Sequence, residues 1–212
     1  MKKSERANRV MDIFDKIYPD VKCTLNYSNP LEMLIATQLS AQCTDARVNI
    51  VTDSLFKKYR CAEDFARADR VELENDIRSA GFYRNKAKNI IACCQRLIDV
   101  YDGKVPDTME DLLTLPGTGR KTANLVLGDA YKQPAVVVDT HCIRLSNRIG
   151  LVNSEDPVKI EYDLKKLIPP QRQLKLCHQL VHHGRVRCNA RKPDCEDCEI
   201  KEYCKYFGLK SK

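Results

Sequence analysis

Four cysteines near the C-terminal end of the sequence have the density of a metal site. Cys188, Cys195, Cys198 and Cys204 form the pattern C-x6-C-x2-C-x5-C, which cysteines scattered through a core would seldom produce. Four thiolates satisfy a structural zinc ion as readily as a cubane iron-sulfur cluster, so the spacing alone leaves both centres open. The other seven cysteines show no ligand spacing and are interpreted as small apolar residues.

Basic residues surround this cysteine pattern, namely Arg185, Arg187, Arg191 and Lys192. Either metal centre carries a net charge of about −2 with four thiolates, so these cations can simply neutralise it. Alternatively, the loop 189–194 projects Arg191 and Lys192 toward the phosphates of a nucleic acid.

A second motif, LPGTGRKTA at 115–123, lies between two stretches with helical periodicity. Pro116 and Gly117 are predicted to end one helix, and Gly119 to begin the next. The glycines allow a partner to approach the backbone, and the N-terminus of the second helix offers free N–H groups and a positive dipole end. The motif therefore predicts a phosphate site, although a generic turn between helices remains the alternative.

Two residues in or after this motif could carry chemistry. Lys121 lies in the first turn of the second helix, where the dipole opposes a cation. Partial desolvation would favour the neutral amine needed for nucleophilic attack, whereas phosphate contact is the commoner role of such a lysine. Asp139 starts another helix, where it can cap the helix or, facing a cleft, stabilise positive charge and move protons. His141 is interpreted as a structural residue.

The elements that position these residues are predicted to be helices, because apolar residues recur at intervals of three and four. Asn29 is predicted to cap a helix that starts at Pro30, ends near Ser40 and has a capping box closed by Glu32. The strand-like run 134–138 is interpreted as a buried extended connector between domains. Further helices are predicted at 3–18, 44–59, 70–79, 83–101, 108–115, 119–131, 140–149, 156–168 and 171–186.

Composition sets the class of protein. The 212 residues are 43% hydrophobic and carry a formal charge of +7, which indicates a soluble globular protein with a possible polyanionic partner. The N-terminus mixes Asp12 and Asp15 among its apolar residues, so no export signal or membrane span is predicted. Eleven cysteines without such a signal indicate a reducing compartment. We expect a cytoplasmic monomer, nucleoid-associated if bacterial.

Taken together, LPGTGRKTA, the downstream VDTH and the cysteine pattern resemble the endonuclease III family of the helix-hairpin-helix DNA glycosylase superfamily. LSAQCTDARVN at 39–49 and GFYRNKAKNI at 81–90 add to the resemblance, which runs in the expected order from about residue 29 to Cys204.

The resemblance implies two all-α domains that flank a DNA-binding cleft. Residues 22–132 would form a helical barrel with the helix-hairpin-helix motif, and 1–21 would pack with 133–212 around the cysteines. It also favours a 4Fe-4S cluster over zinc. The implied partner is double-stranded DNA that contains damaged bases or abasic sites.

The chemistry implied by the resemblance is that of a bifunctional DNA N-glycosylase and abasic-site lyase of base excision repair. Lys121 would attack the deoxyribose C1′ of oxidised pyrimidine nucleotides and form a Schiff base, with Asp139 as its acidic partner. Beta-elimination would then cut the 3′ side of the abasic site. Adenine-mismatch glycosylases of the same superfamily typically lack the lysine. A non-catalytic DNA-binding or redox-sensing protein is the alternative from another class.

The same matching implies residues that contact DNA. Gly117, Gly119 and Arg120 would hold the backbone, while Gln42 and Phe82 would enter the base stack as the target nucleotide is extruded. Many relatives are expected to carry an aliphatic wedge where this sequence has Phe82, and a core aromatic is the alternative interpretation of that residue.

Overall fold

The computed structural model describes residues 1–210, which fold into two compact units. The hairpin unit is Thr24–Gln133, and the cysteine unit combines Met1–Cys23 with the chain from Pro134 onward. All regular secondary structure in the described residues is helical, as predicted. No helix among them is long and apolar enough to cross a membrane.

Seven α-helices make up the hairpin unit. After the N-terminal helix α1, Lys3–Ile17, they are in chain order α2 Pro30–Leu39, α3 Asp45–Lys58, α4 Ala62–Ala66, α5 Arg70–Asp76, α6 Tyr83–Tyr101, α7 Met109–Leu112 and α8 Arg120–Leu125. Two predicted helices are interrupted: 70–79 ends at Asp76 before a short 3-10 turn at Arg78–Ala80, and 119–131 continues beyond α8 as a π-turn at Val126–Ala130. The helix α4 was not predicted.

The cysteine unit contains the remaining helices. They are α1 Lys3–Ile17, α9 Thr140–Ile149, α10 Pro157–Leu167, α11 Pro170–Val186 and α12 Lys205–Lys210, with a 3-10 turn at Lys201–Tyr203 before the last of them. The amphipathic helix α1 buries Ala7, Val10, Met11 and Phe14 and packs against α10 and α11. The spacing of three and four residues places these side chains on one face of the helix. Neither α12 nor the 3-10 turn was predicted.

The start of α2 follows the prediction except in one bond. The Asn29 side chain accepts a hydrogen bond from the Glu32 backbone N–H at 3.0 Å, and Pro30 is the first helical residue. The Glu32 carboxylate, however, accepts from the backbone N–H of Ser28 at 2.6 Å rather than closing a capping box on Asn29. Ser28 lies one position earlier, and its hydroxyl also donates to the same oxygen. The capping-box prediction is therefore wrong in its partner.

The long helix α6 forms one wall of the hairpin-unit core. Ala87, Ile90, Cys94 and Leu97 recur at helical spacing and are fully buried, and α6 packs against α4 and α5. Burial raises the pKa of the neighbouring Cys93 thiol to about 11, so this cysteine is an inert apolar group at neutral pH.

The seven cysteines outside the C-terminal pattern are not all buried apolar residues. Cys93, Cys94, Cys142 and Cys177 are buried, but Cys61 is exposed.

The segment 134–138 has no regular secondary structure. Ala135, Val136 and Val137 are buried, and the Val137 N–H donates to the Cys177 sulfur at 3.3 Å. The segment is thus a buried connector rather than a strand, as predicted, and it leads directly into Asp139.

Candidate functional site

The hairpin lies between α7 and α8, and its first glycine is required by the fold. Gly117 has a φ of 75°, a left-handed conformation that is unfavourable for other residues. A Cβ at this position would also lie 3.0 Å from Asn89 Cβ. Gly119, in contrast, has an extended backbone, and a Cβ there would meet nothing within 4 Å. Packing within the chain therefore explains Gly117 but not Gly119.

A buried glutamine on α2 holds the hairpin in place. The Gln38 side-chain NH₂ donates to the Pro116 carbonyl at 3.1 Å and to the Thr118 hydroxyl at 3.2 Å, and the residue is only 6% exposed. These two hydrogen bonds join the hairpin turn to α2 on its buried side. The sequence analysis missed this residue, whose one signal is an amide in the otherwise apolar run of α2.

The structure places Lys121 as the second residue of α8, with its side chain exposed. The next four residues, 122–125, are all buried, so α8 is held firmly while Lys121 faces solvent. The partial desolvation predicted for this side chain is therefore absent from the folded chain. A bound partner that covers this surface would have to supply it. Arg120, immediately before, is half-buried.

Asp139 is half-buried at the N-cap of α9. Its Oδ1 accepts the backbone N–H of Cys142 at 2.7 Å, so the capping role is present. Because the cap engages one oxygen, the carboxylate keeps a second acceptor for other chemistry. The nearby His141 has Nδ1 at 3.1 Å from an Arg144 guanidinium nitrogen, in line with its structural interpretation.

Gln42 and Phe82 share an unusual backbone feature. Both have left-handed φ angles, 54° for Gln42 and 50° for Phe82, which are uncommon for residues other than glycine. Both side chains are exposed, and that of Phe82 is 62% exposed. The interpretation of Phe82 as a core aromatic is thereby excluded. The two residues line the same cavity of about 200 Å³, together with Gln38, Lys86 and Gly117.

The four cysteines of the C-terminal pattern line a single cavity in the cysteine unit, which also borders Arg148 and His183. No three metal-ligating side chains among residues 1–210 are grouped closely enough to hold one metal ion. The cavity lining agrees with one metal centre held by all four cysteines.

Two side chains from outside the cysteine pattern contact these cysteines. One guanidinium nitrogen of Arg148 donates to the Cys188 sulfur at 3.4 Å and to the Asn189 carbonyl at 2.8 Å, and the other donates to the Ala190 carbonyl at 2.7 Å. Arg148 therefore ties α9 to the cysteine loop and places a cation beside a ligand sulfur. The sequence analysis missed it because it lies forty residues before Cys188.

His183 is the second contact. Its Nε2 lies 3.5 Å from the Cys198 sulfur, and its Nδ1 lies 3.0 Å from the Tyr18 hydroxyl. Burial lowers the pKa of His183 to about 4, so the imidazole is neutral at pH 7. If Tyr18 donates to Nδ1, the proton on Nε2 faces the sulfur. Burial also raises the pKa of the Cys198 thiol to about 11, so without a bound metal this thiol is protonated at neutral pH.

The basic residues near the cysteines divide into two groups. Arg187 forms ion pairs with Asp194 at 2.6 Å and Glu199 at 3.0 Å, so it neutralises acidic side chains of the loop itself. Arg191 and Lys192 are exposed, and neither forms an ion pair within residues 1–210. Arg187 is thus engaged by acidic side chains and not by the cysteines, and the phosphate contacts of Arg191 and Lys192 stay a prediction.

Comparisons with known proteins agree with this arrangement. The model of the HhH-GPD superfamily of base excision DNA repair proteins matches residues 35–170. Endonuclease III of Synechocystis sp. is 49% identical over 203 residues, which are 95% of this chain and 93% of that relative.

Solved structures give the same result. The chain in a non-covalent endonuclease III–DNA complex is 43% identical, with a TM-score of 0.93 and coverage of 100% of this chain and 99% of that one. A trapped covalent endonuclease III–DNA intermediate with an estranged adenine gives the same identity and TM-score, with both chains covered completely. The chain described here therefore belongs to the endonuclease III family of the HhH-GPD superfamily of base excision DNA repair proteins.

Proposed function

We propose that this protein, a bifunctional DNA glycosylase and abasic-site lyase of base excision repair, acts on double-stranded DNA that contains oxidised pyrimidines or abasic sites. The observation that carries the proposal is the exposed Lys121, the second residue of a firmly packed helix directly after a glycine hairpin. An amine presented on a rigid element beside a phosphate site can reach a sugar carbon without reorganising the chain.

The nucleophile in this proposal is the neutral amine of Lys121. Its Nζ forms a bond to the deoxyribose C1′ while the bond from C1′ to the base breaks, and the base leaves with the electron pair and takes up a proton. The sugar ring then opens to a Schiff base. Loss of a C2′ proton and of the 3′ phosphate oxygen cuts the strand on the 3′ side.

Asp139 is the proposed acidic partner. Its carboxylate would stabilise the positive charge that develops on the sugar, or accept a proton during the steps that follow. Its cap to the Cys142 N–H fixes the side chain at the start of α9. Catalytic groups need such fixed positions, since a small displacement of a catalytic group slows the reaction strongly.

DNA is the proposed partner of the hairpin. Gly119 leaves open space beside the backbone, so a phosphate can approach the first N–H groups of α8. Gly117 and Arg120 would complete this contact. Gln42 and Phe82 would occupy the space that the extruded nucleotide leaves in the stack.

The proposed cofactor is a 4Fe-4S cluster held by Cys188, Cys195, Cys198 and Cys204. The cluster would supply structural support, because its four bonds fix a loop that has little secondary structure of its own. Arg148 and the neutral His183 would donate hydrogen bonds to the sulfur ligands. Arg191 and Lys192 would then lie on the held loop as phosphate contacts.

The two units have separate roles in this proposal. Residues 22–132 act as the helical barrel that carries the hairpin and the nucleophile. Residues 1–21 and 133–212 act as the discontinuous domain that carries the cluster and Asp139.

Borohydride trapping tests the proposed chemistry. Borohydride added during turnover should reduce the Schiff base and leave the protein covalently linked to a duplex that contains thymine glycol. Lys121→Gln should abolish the adduct, whereas Lys88→Gln, on an exposed lysine of α6, should not. If Lys121→Gln traps as well as the wild type, another amine is the nucleophile. If the wild type releases the base without trapping, water is the nucleophile.

A further inference from the structure

Lys86 is a buried cation that the proposed chemistry does not use. It is only 6% exposed, and it forms no ion pair with any residue in the described part of the chain. Burial lowers the pKa of its ammonium group, which reflects the unfavourable removal of a charge from water. A methionine would fill a similar space without this penalty. A lysine at this buried position therefore indicates a specific role for its ammonium group.

The ammonium bridges two segments of the hairpin unit. It donates to the Leu39 carbonyl at 2.8 Å and to the Ala80 carbonyl at 2.9 Å. Leu39 is the last residue of α2, and Ala80 ends the 3-10 turn before α6. The Lys86 backbone N–H also bonds the Phe82 carbonyl at 3.1 Å. One residue thus holds the Phe82 loop twice and joins it to the end of α2.

Each of the joined segments carries one residue proposed to enter the DNA stack. Gln42 lies three positions after Leu39, in a turn closed by the Cys43 N–H to Ser40 carbonyl bond of 3.1 Å. Phe82 lies two positions after Ala80. Both have left-handed backbones, a strained conformation that persists only when the surroundings hold it.

We propose that Lys86 is a positioning residue that clamps the Gln42 turn and the Phe82 loop into one rigid probe, so that both side chains enter the duplex together. This inference rests on the proposed function for its consequence in DNA, but the clamp itself is a property of the free protein. An ammonium suits the role because it has three donors on a flexible stem and can serve two carbonyls in different directions.

Hydrogen exchange tests the clamp without DNA. Lys86→Met should speed amide exchange in both 40–43 and 81–83 by about tenfold or more, because both hydrogen bonds from the charged ammonium are lost. Lys88→Met, on the exposed lysine two positions along the same helix, should change neither segment. Faster exchange in one segment alone, or in neither, would overturn the clamp whether or not the protein acts on DNA.

A double-mutant cycle of reaction rates tests the consequence of the clamp for base release. Lys86→Met should slow base release from a thymine glycol duplex by about tenfold or more, while trapping on a preformed abasic site, which has no base to extrude, falls much less. Normalising base release to the trapping-competent fraction corrects for protein that fails to fold. Lys86→Arg, which keeps the charge and donors, should restore part of the rate.

The cycle is completed in a Gln42→Ala, Phe82→Ala background. There, Lys86→Met should have no further effect on the ratio of base release to trapping, because the side chains through which it acts are gone. A purely structural lysine would reduce both activities in parallel and additively in either background, and that result would refute the positioning role. A wild type that neither releases the base nor traps would refute the proposed function instead, and hydrogen exchange would still decide the clamp.

Discussion

The candidate functional side chains of the hairpin unit are exposed, whereas the candidate ligands of the cysteine unit line one cavity. Gln42, Phe82 and Lys121 are exposed, and the hydrogen bonds of Gln38 and Lys86 support their segments from behind. The cysteine ligands, in contrast, are only partly accessible. The difference separates a surface that is open to a partner in one unit from a cavity lined by the unit's own cysteines in the other.

The same contrast applies to backbone strain. Gln42, Phe82 and Gly117 of the hairpin unit all have left-handed φ angles beside one cavity. Such strained conformations persist where contacts with the surrounding residues outweigh the energetic cost of the strain. Changes to the exposed side chains of the hairpin unit should therefore reduce activity and leave the fold intact, while changes to the side chains that contact the cysteines should first lower stability.

The largest effect is expected at Asp139. Asp139→Asn should slow base release by about 10²–10⁴-fold, the usual contribution of a group that transfers protons, while the melting temperature and DNA binding stay unchanged. Asparagine caps a helix as well as aspartate does, so only the charge is lost. Single-turnover kinetics and thermal unfolding measure the two quantities.

Two matched variants separate the cap from the charge. Asp139→Ala should additionally lower the free energy of unfolding by about 1 kcal/mol. Asp156→Asn, at the N-cap of α10, should alter neither activity nor stability. If Asp139→Asn keeps full activity, the carboxylate is only a helix cap.

The metal content of the purified protein tests the cofactor proposed for the cysteine unit. The purified protein should be yellow-brown and contain four irons and four sulfides per chain, as a 4Fe-4S cluster requires. Arg148→Met should lower the free energy of unfolding by about 1.5–3 kcal/mol and reduce iron occupancy, because it removes hydrogen bonds from a charged donor. Trapping per molecule of iron-loaded protein should stay at the wild-type level.

Arg9→Met serves as the control, since Arg9 is an exposed arginine on α1 of the same unit. It should leave both iron content and unfolding unchanged. A colourless, active protein with one zinc would overturn the cofactor proposal and leave the glycosylase proposal standing.

The two hairpin glycines should respond differently to the same substitution. Gly117→Ala should destabilise the protein by about 1–2 kcal/mol, the usual penalty for a left-handed residue with a Cβ, with the Asn89 contact adding to it. Gly119→Ala should leave the melting temperature unchanged, because its backbone is extended and the space beside it is open. It should nevertheless weaken DNA binding, which fluorescence anisotropy measures. Unimpaired binding by Gly119→Ala would show that no partner approaches at that point.

Local features of the fold were readable from the sequence, whereas long-range contacts were not. Asn29 and Pro30 mark a helix start through bonds within four residues, and Pro116 and Gly117 mark a turn in the same way. The hydrogen bonds of Gln38, Lys86 and Arg148 join residues up to 80 positions apart, so no local sequence pattern predicts them. The partner of Glu32 was wrong by one position because Ser28 offers two donors to the same carboxylate oxygen.

The smallest effect is expected at the exposed cations of the cysteine loop. Arg191→Ala or Lys192→Ala should weaken binding to all DNA sequences similarly and reduce the slope of log K against log salt by roughly 1, because each phosphate contact releases about one counterion. Arg187→Ala should not lower the slope in this way, since its guanidinium is already engaged by Asp194 and Glu199. Iron content must be equal in every variant, because a disrupted loop would imitate a lost phosphate contact. Unchanged slopes in both Arg191→Ala and Lys192→Ala would mean that the loop faces solvent in the complex, and the cysteine unit would then contribute structure and Asp139 alone.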